Sequence, residues 1–135
     1  MVITNFEEAR KYLSLVPNID FGGCGIAAIS LYRWVKQNEG ESPGIILLYS
    51  PFKGEVGSCR KGPSHCGIEY KEKILDRSEV IPLDLYSNWM KISEGGMINL
   101  LNALDNWNET FDRKHVPVIG KHLGIDLSDI CLKVD

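Results

Sequence analysis

No apolar run in the 135-residue chain approaches the roughly 20 residues that a membrane-spanning helix needs, which excludes such a span. Positive charge is also in short supply. Fifteen Lys and Arg against eighteen Asp and Glu leave a formal charge of −3, so the field that would select nucleic acid or an anionic membrane surface is missing. The opening stretch, MVITNFEEARKY, lacks the basic and then apolar pattern of an export signal, and this predicts a soluble, cytoplasmic protein. Cysteine is scarce. Cys24, Cys59, Cys66 and Cys131 are read as free thiols rather than disulfides, because the chain has no export signal and its 44% hydrophobic content gives an adequate core without staples. None of them stands in a short zinc-knuckle spacing, and adjacent residues such as His65 and Cys66 point to opposite faces of a strand, so no metal site is expected. Internal repeats, low-complexity stretches and long linkers are absent as well, and residues 1–135 are expected to form a single domain.

What is present alternates between helical and strand patterns. Thr4 followed by Glu7 fits a capping box, and Phe6, Ala9, Leu13 and Val16 recur at helical spacing, so a helix is expected from about Asn5 to Leu15. Pro17 closes it, and the link NIDFGG leads into a second, more buried helix from Cys24 to about Gln37. After the breakers between Asn38 and Gly44, GIILLYS reads as an interior strand. Residues 51–64 show neither period and read as a loop that gathers Lys53, Arg60 and Lys61, a cluster suited to a carboxylate-bearing substrate or merely to a connector. HCGIEYKEKILD and EVIPLDL read as strands. The tail returns to helical spacing through Met97, Leu100, Leu101, Leu104 and Trp107, and a last short helix is expected from Pro117 to Leu123, ended by Gly124. The fold class is therefore α+β: N-terminal helices, the Cys24 helix packed on a small antiparallel sheet, and a helical C-terminal section.

The chemistry concentrates on "DFGGCGIAAIS". A cysteine in the first turn of a helix meets unpaired backbone N–H groups and the positive end of the helix dipole, and both favour thiolate over thiol. Gly22, Gly23 and Gly25 are expected to let the chain turn sharply and to leave the sulfur open. A nucleophilic thiol needs a base, and the base needs an orienting acceptor. His65 and Asp76 fit these posts, because a hairpin turning at Tyr70 and Lys71 would set them directly opposite on one sheet face, with Gly67 opposite Ile74 and Cys66 opposite Leu75.

Cysteine opening a glycine-preceded helix ("FGGCGIAA"), then histidine on a strand ("PSHCGIEY"), then aspartate on the next ("KILDRS") resembles the order in papain-like cysteine hydrolases and their transglutaminase-like relatives. The likeness spans Asn18 to Leu85, and the 41-residue step from Cys24 to His65 is similar to compact transglutaminase-like and minimal bacterial or phage members. It implies a papain-like core, a catalytic set of Cys24, His65 and Asp76, and hydrolysis or acyl transfer at a peptide, isopeptide or side-chain amide through a thioester. It implies a peptide or protein substrate and no cofactor. It also places Asn18 where the family carries an oxyanion-holding amide, although an asparagine after a proline equally suits local backbone bonding. Two readings of other classes stand beside this one. The first is a non-catalytic binding or inhibitor protein on the same scaffold, and the second is a zinc-stabilised interaction module. His115 and His122, seven residues apart in the tail, are explained as well by exposure or by a helix-end role as by a shared face.

Overall fold

The structure is a computed structural model and describes residues 3–19, 23–49, 65–86, 88–103 and 111–130. The described residues form an α+β arrangement. Helices α1 (Phe6–Ser14) and α2 (Cys24–Glu39) precede strands β1 (Gly44–Tyr49), β2 (His65–Tyr70) and β3 (Lys73–Leu75). A 3-10 turn (Leu83–Leu85), strand β4 (Asn88–Ile92) and helices α3 (Glu94–Ala103) and α4 (His115–Leu123) follow.

Helix α1 starts one residue later than the Thr4–Glu7 box suggests. Asn5 is the cap, accepting the Glu8 N–H at 2.8 Å, and the Glu8 carboxylate reaches back to the Thr4 N–H and hydroxyl, each at 2.9 Å. The reciprocal logic survives with its register moved by one. Helix α2 runs past Gln37 to Glu39 and stops where Gly40 takes a left-handed conformation, φ 69°.

The sheet is antiparallel throughout in the order β3-β2-β1-β4. β1 lies inside it and is apolar on both faces, which is why its sequence shows no polar alternation. Ile45 and Leu47 turn toward the main core with Cys66, Ile68, Tyr70 and the body of α2, whereas Ile46 and Leu48 meet Ile74 and Ile81 in a second cluster on the other face. Helix α2 packs chiefly on β2, with α1, α3 and α4 also against it, and this sets the start of α2 beside the start of β2.

Two expectations need correction. EVIPLDL is not a strand: Val80 makes one isolated bridge to Leu75, the Ile81 N–H bonds the Ile74 carbonyl at 2.8 Å, and the chain then passes Pro82 into the 3-10 turn. Proline lacks the N–H that would continue a ladder. The strand that does follow, NWMKI, is an edge strand with nearly every side chain outward, so it carries no alternation to read. Finally, α4 begins at His115, with Pro117 inside its first turn where an N–H has no helical partner anyway, and Gly124 ends it as expected, φ 70°. Leu104 and Trp107 of the tail pattern and the loop 51–64 lie outside the described residues. No described helix is long and apolar enough to cross a membrane.

Candidate active site

Cys24 is the first residue of α2 and Gly23 is its cap. Gly23 has an ordinary negative φ of −98°, so its glycine is explained by proximity instead: a Cβ there would stand 2.8 Å from the Ile19 carbonyl oxygen. The first turn of α2 carries no acidic side chain, so its positive end is not neutralised locally. Gly22 lies outside the described residues, and Gly23 and Gly25 do not leave the sulfur open. Cys24 is only 8% exposed and lines a narrow crevice, without room for a water molecule, that it shares with Ala28, His65, Cys66, Asp76 and Arg77.

His65 is the first residue of β2, paired with Leu48 of β1. Its Nε2 lies 3.0 Å from Asp76 Oδ2, which leaves Nδ1 as the ring nitrogen free to serve the thiol. This contact is made in a register other than the expected one. Ile68 pairs with Leu75, Glu69 with Ile74 and Tyr70 with Lys73, so the turn is Lys71-Glu72 and not Tyr70-Lys71. Both turn residues have positive φ, 51° and 66°, the left-handed pair of a type I′ hairpin whose twist suits the strands. A shift of two residues keeps every side chain on its expected face. His65 and Asp76 therefore meet as diagonal neighbours just beyond β3 rather than directly across.

Asp76 is held by its own loop. Oδ1 accepts the Ser78 N–H at 2.7 Å, the Ser78 hydroxyl at 3.2 Å and the Glu79 N–H at 2.8 Å, while Oδ2 faces His65 and, at 3.3 Å, the Arg77 guanidinium. Burial works to raise this carboxyl's pKa, but the hydrogen bonds from His65, Ser78 and Glu79 outweigh it and hold the group below its usual value.

The electrostatics follow from these neighbours. The Cys66 thiol is the strongest stabiliser of a Cys24 thiolate; burial opposes it, and the His65 ring adds its own hydrogen bonding and charge, bringing Cys24 down to about 5. Burial by itself would lower the His65 pKa. Asp76 and the Cys24 sulfur together reverse that and raise it to about 9. Burial pushes the Cys66 thiol up, and the neighbouring Cys24 thiolate pushes it further. Together these neighbours favour a thiolate at Cys24 and an imidazolium at His65, with the proton kept on Cys66.

Of the four residues singled out in the sequence, Cys24, His65 and Asp76 gather here. Asn18 stands exposed in the turn after α1 with φ 60°, and among the described residues no contact joins its side chain to the crevice. Cys59, Cys131, Lys53, Arg60 and Lys61 lie outside the described residues. His122 stacks on Tyr12 with ring centroids 4.8 Å apart, and His115 tilts against Phe111 at 5.9 Å, so both have packing partners. Among the described residues no three His, Cys, Asp or Glu side chains gather as metal ligands.

Sequence reasoning missed the roles of Cys66 and Arg10. Strand alternation points Cys66 away from His65, yet at the end of the sheet Cys24 interacts with both. Arg10 falls within the apolar stripe of Phe6, Ala9 and Leu13, and a charge inside such a stripe is a legible sign of a buried task. No family model, curated protein or solved structure matches the chain.

Proposed function

We propose that the chain is a cysteine-dependent hydrolase or acyltransferase with a papain-like core, acting on a peptide, isopeptide or side-chain amide. The observation that carries this reading is the convergence of Cys24 at the tip of α2, His65 and Asp76 in one crevice, with the sulfur's proton affinity lowered and the imidazole's raised. In this mechanism the Cys24 thiolate attacks the carbonyl carbon, the C–N bond breaks, and His65 delivers its proton to the leaving amine. Water or a second amine then takes the acyl group from the thioester, and His65 receives the proton it releases. Asp76 steadies the imidazolium. The backbone N–H of Cys24 at the helix tip is the oxyanion donor of this reading, and losing one such donor costs about 10²–10³ in rate. The steps require neither metal nor organic cofactor. The partner is a peptide or protein rather than nucleic acid, and the cytoplasm suits a thiolate that must stay reduced.

p-Nitrophenyl acetate tests the reading without knowledge of the natural substrate. The expected result is a burst of one nitrophenolate per chain with an acetyl mass on Cys24, abolished in Cys24→Ala and slowed in His65→Ala. An unchanged burst in Cys24→Ala would refute the proposal. One observation favours the second reading, a non-catalytic binding protein: the burial of Cys24, a residue only 8% exposed. That reading predicts no acyl adduct on Cys24 with any ester or amide.

A further inference from the structure

Arg10 lies in the middle of α1, only 9% exposed, and burying a guanidinium calls for a compensating partner. Its Nε donates to the backbone carbonyl of Asp76 at 2.9 Å, one of its terminal nitrogens bonds Glu7 at 3.1 Å, and the guanidinium carbon lies 5.8 Å from the centroid of the Phe6 ring. One helical turn further on, the Ser14 hydroxyl shares its one hydrogen between the Arg77 carbonyl at 2.9 Å and the Arg10 carbonyl of its own helix at 3.0 Å. Helix α1 thus grips two successive carbonyls of the segment that carries the carboxylate.

That grip supplies something the Asp76 loop does not supply for itself. The bonds from Ser78 and Glu79 fix the carboxylate within its own turn, but they move with the turn. The turn is tied to the sheet by the short β3, the Leu75–Val80 bridge and the Ile81 N–H on the Ile74 carbonyl, whereas Arg10 ties it to a helix packed on α2, the element that bears Cys24.

We infer that Arg10 is a positioning residue: through the Asp76 carbonyl it fixes the carboxylate against the His65 ring, so that α1 is part of the site's machinery and not only its scaffold. The inference rests on the cysteine-hydrolase reading above. It does not require that any substrate be known. The titratable or charged groups around the pair are Cys24, Cys66, Arg77, Glu79 and Tyr86, with Glu7 behind the loop beside Arg10.

The test follows the His65 ring by NMR titration, assigned by its loss in His65→Gln, in the full chain with Arg10→Met and Arg10→Lys. In Arg10→Met the His65 midpoint is expected to fall from about 9 toward its ordinary 6.5, by about one pH unit or more, a tenfold loss of proton affinity. Arg10→Lys, which keeps a cationic donor, should recover at least half of that shift. Ile119→Val, a buried change in α4, serves as a stability control and should leave the midpoint in place. A folded Arg10→Met with the wild-type midpoint would overturn the inference. Should Arg10→Met not fold, Ser14→Ala carries the same test, because it removes the neighbouring tether, and an unmoved midpoint there counts against the inference. A wild-type His65 that titrates near 6.5 would instead sink the catalytic reading itself, so the two failures are told apart.

Discussion

The sharpest consequence of the crevice concerns the shape of a pH profile and not the height of a rate. Lowering Cys24 from an ordinary 9.0 to about 5 raises its thiolate fraction near pH 7 from about 1% to about 99%, a gain of about a hundredfold. A more acidic thiol is also a weaker nucleophile. With a Brønsted coefficient of about 0.4–0.5, four units of acidity cost about 40- to 100-fold per thiolate. The two effects nearly cancel at neutrality, so fast alkylation at pH 7 is not expected. At about pH 5.5 the population gain exceeds a thousandfold while the nucleophilicity loss is unchanged, leaving Cys24 about 20- to 60-fold faster than an ordinary thiol. The assay is iodoacetamide labelling from pH 4 to 9, read by mass spectrometry on the peptide holding Cys24, with the unfolded chain in urea as the reference. The expected profile rises through about 5 and then stays flat, whereas the unfolded reference climbs tenfold per unit up to about 9. A folded profile that runs parallel to the unfolded one across the whole range would refute the thiolate argument, because burial lowers an overall rate without moving its midpoint.

Cys66→Ala removes the largest stabiliser of that thiolate, and a hydrogen bond to a charged group contributes about 1.5–3 kcal/mol, so the labelling step should move up by about 1–2 pH units. Stability should rise between about pH 5 and 6.5 and then stay level. The lowered Cys24 group contributes stability that is fully present above its ordinary 9.0 and lost as pH falls through about 5, and the raised His65 group contributes stability present below 6.5 and lost as pH rises through about 9. Between 6.5 and 9 the Cys24 gain and the His65 loss offset each other, so urea midpoints measured from pH 4 to 10 should climb between about 5 and 6.5 and then hold level in wild type, and lose that climb in Cys24→Ala. Glu72→Gly should stabilise the hairpin by about 1 kcal/mol in urea unfolding, because Glu72 occupies a left-handed conformation that costs a non-glycine residue about that much.

The legible parts of this fold are those whose signal is local. Helix α2 was readable because apolar residues fill most of its faces, the end of α4 because Gly124 takes the left-handed cap, and β1 because an unbroken apolar run of that length suits a strand buried on both sides. Strand β4 was not readable, since an edge strand with outward side chains has the composition of a loop. The hairpin turn fell between these cases: the strands were evident, but Lys-Glu in left-handed conformations has no local signature from which the register could be read.

By itself the sequence determined the order of a cysteine at a helix start, a histidine opening a strand and an aspartate after the next, together with the face each strand residue would take, because side-chain direction follows from periods that a register shift of two leaves intact. Only the tertiary structure decided how closely those groups meet. Cys66 reaches the same sulfur as His65 because α2 starts over the corner of the sheet, Cys24 is buried in the crevice, and a guanidinium 66 residues away in the chain holds the Asp76 carbonyl. Contacts of that separation depend on how helices and sheet pack together, and no window of neighbouring residues encodes them.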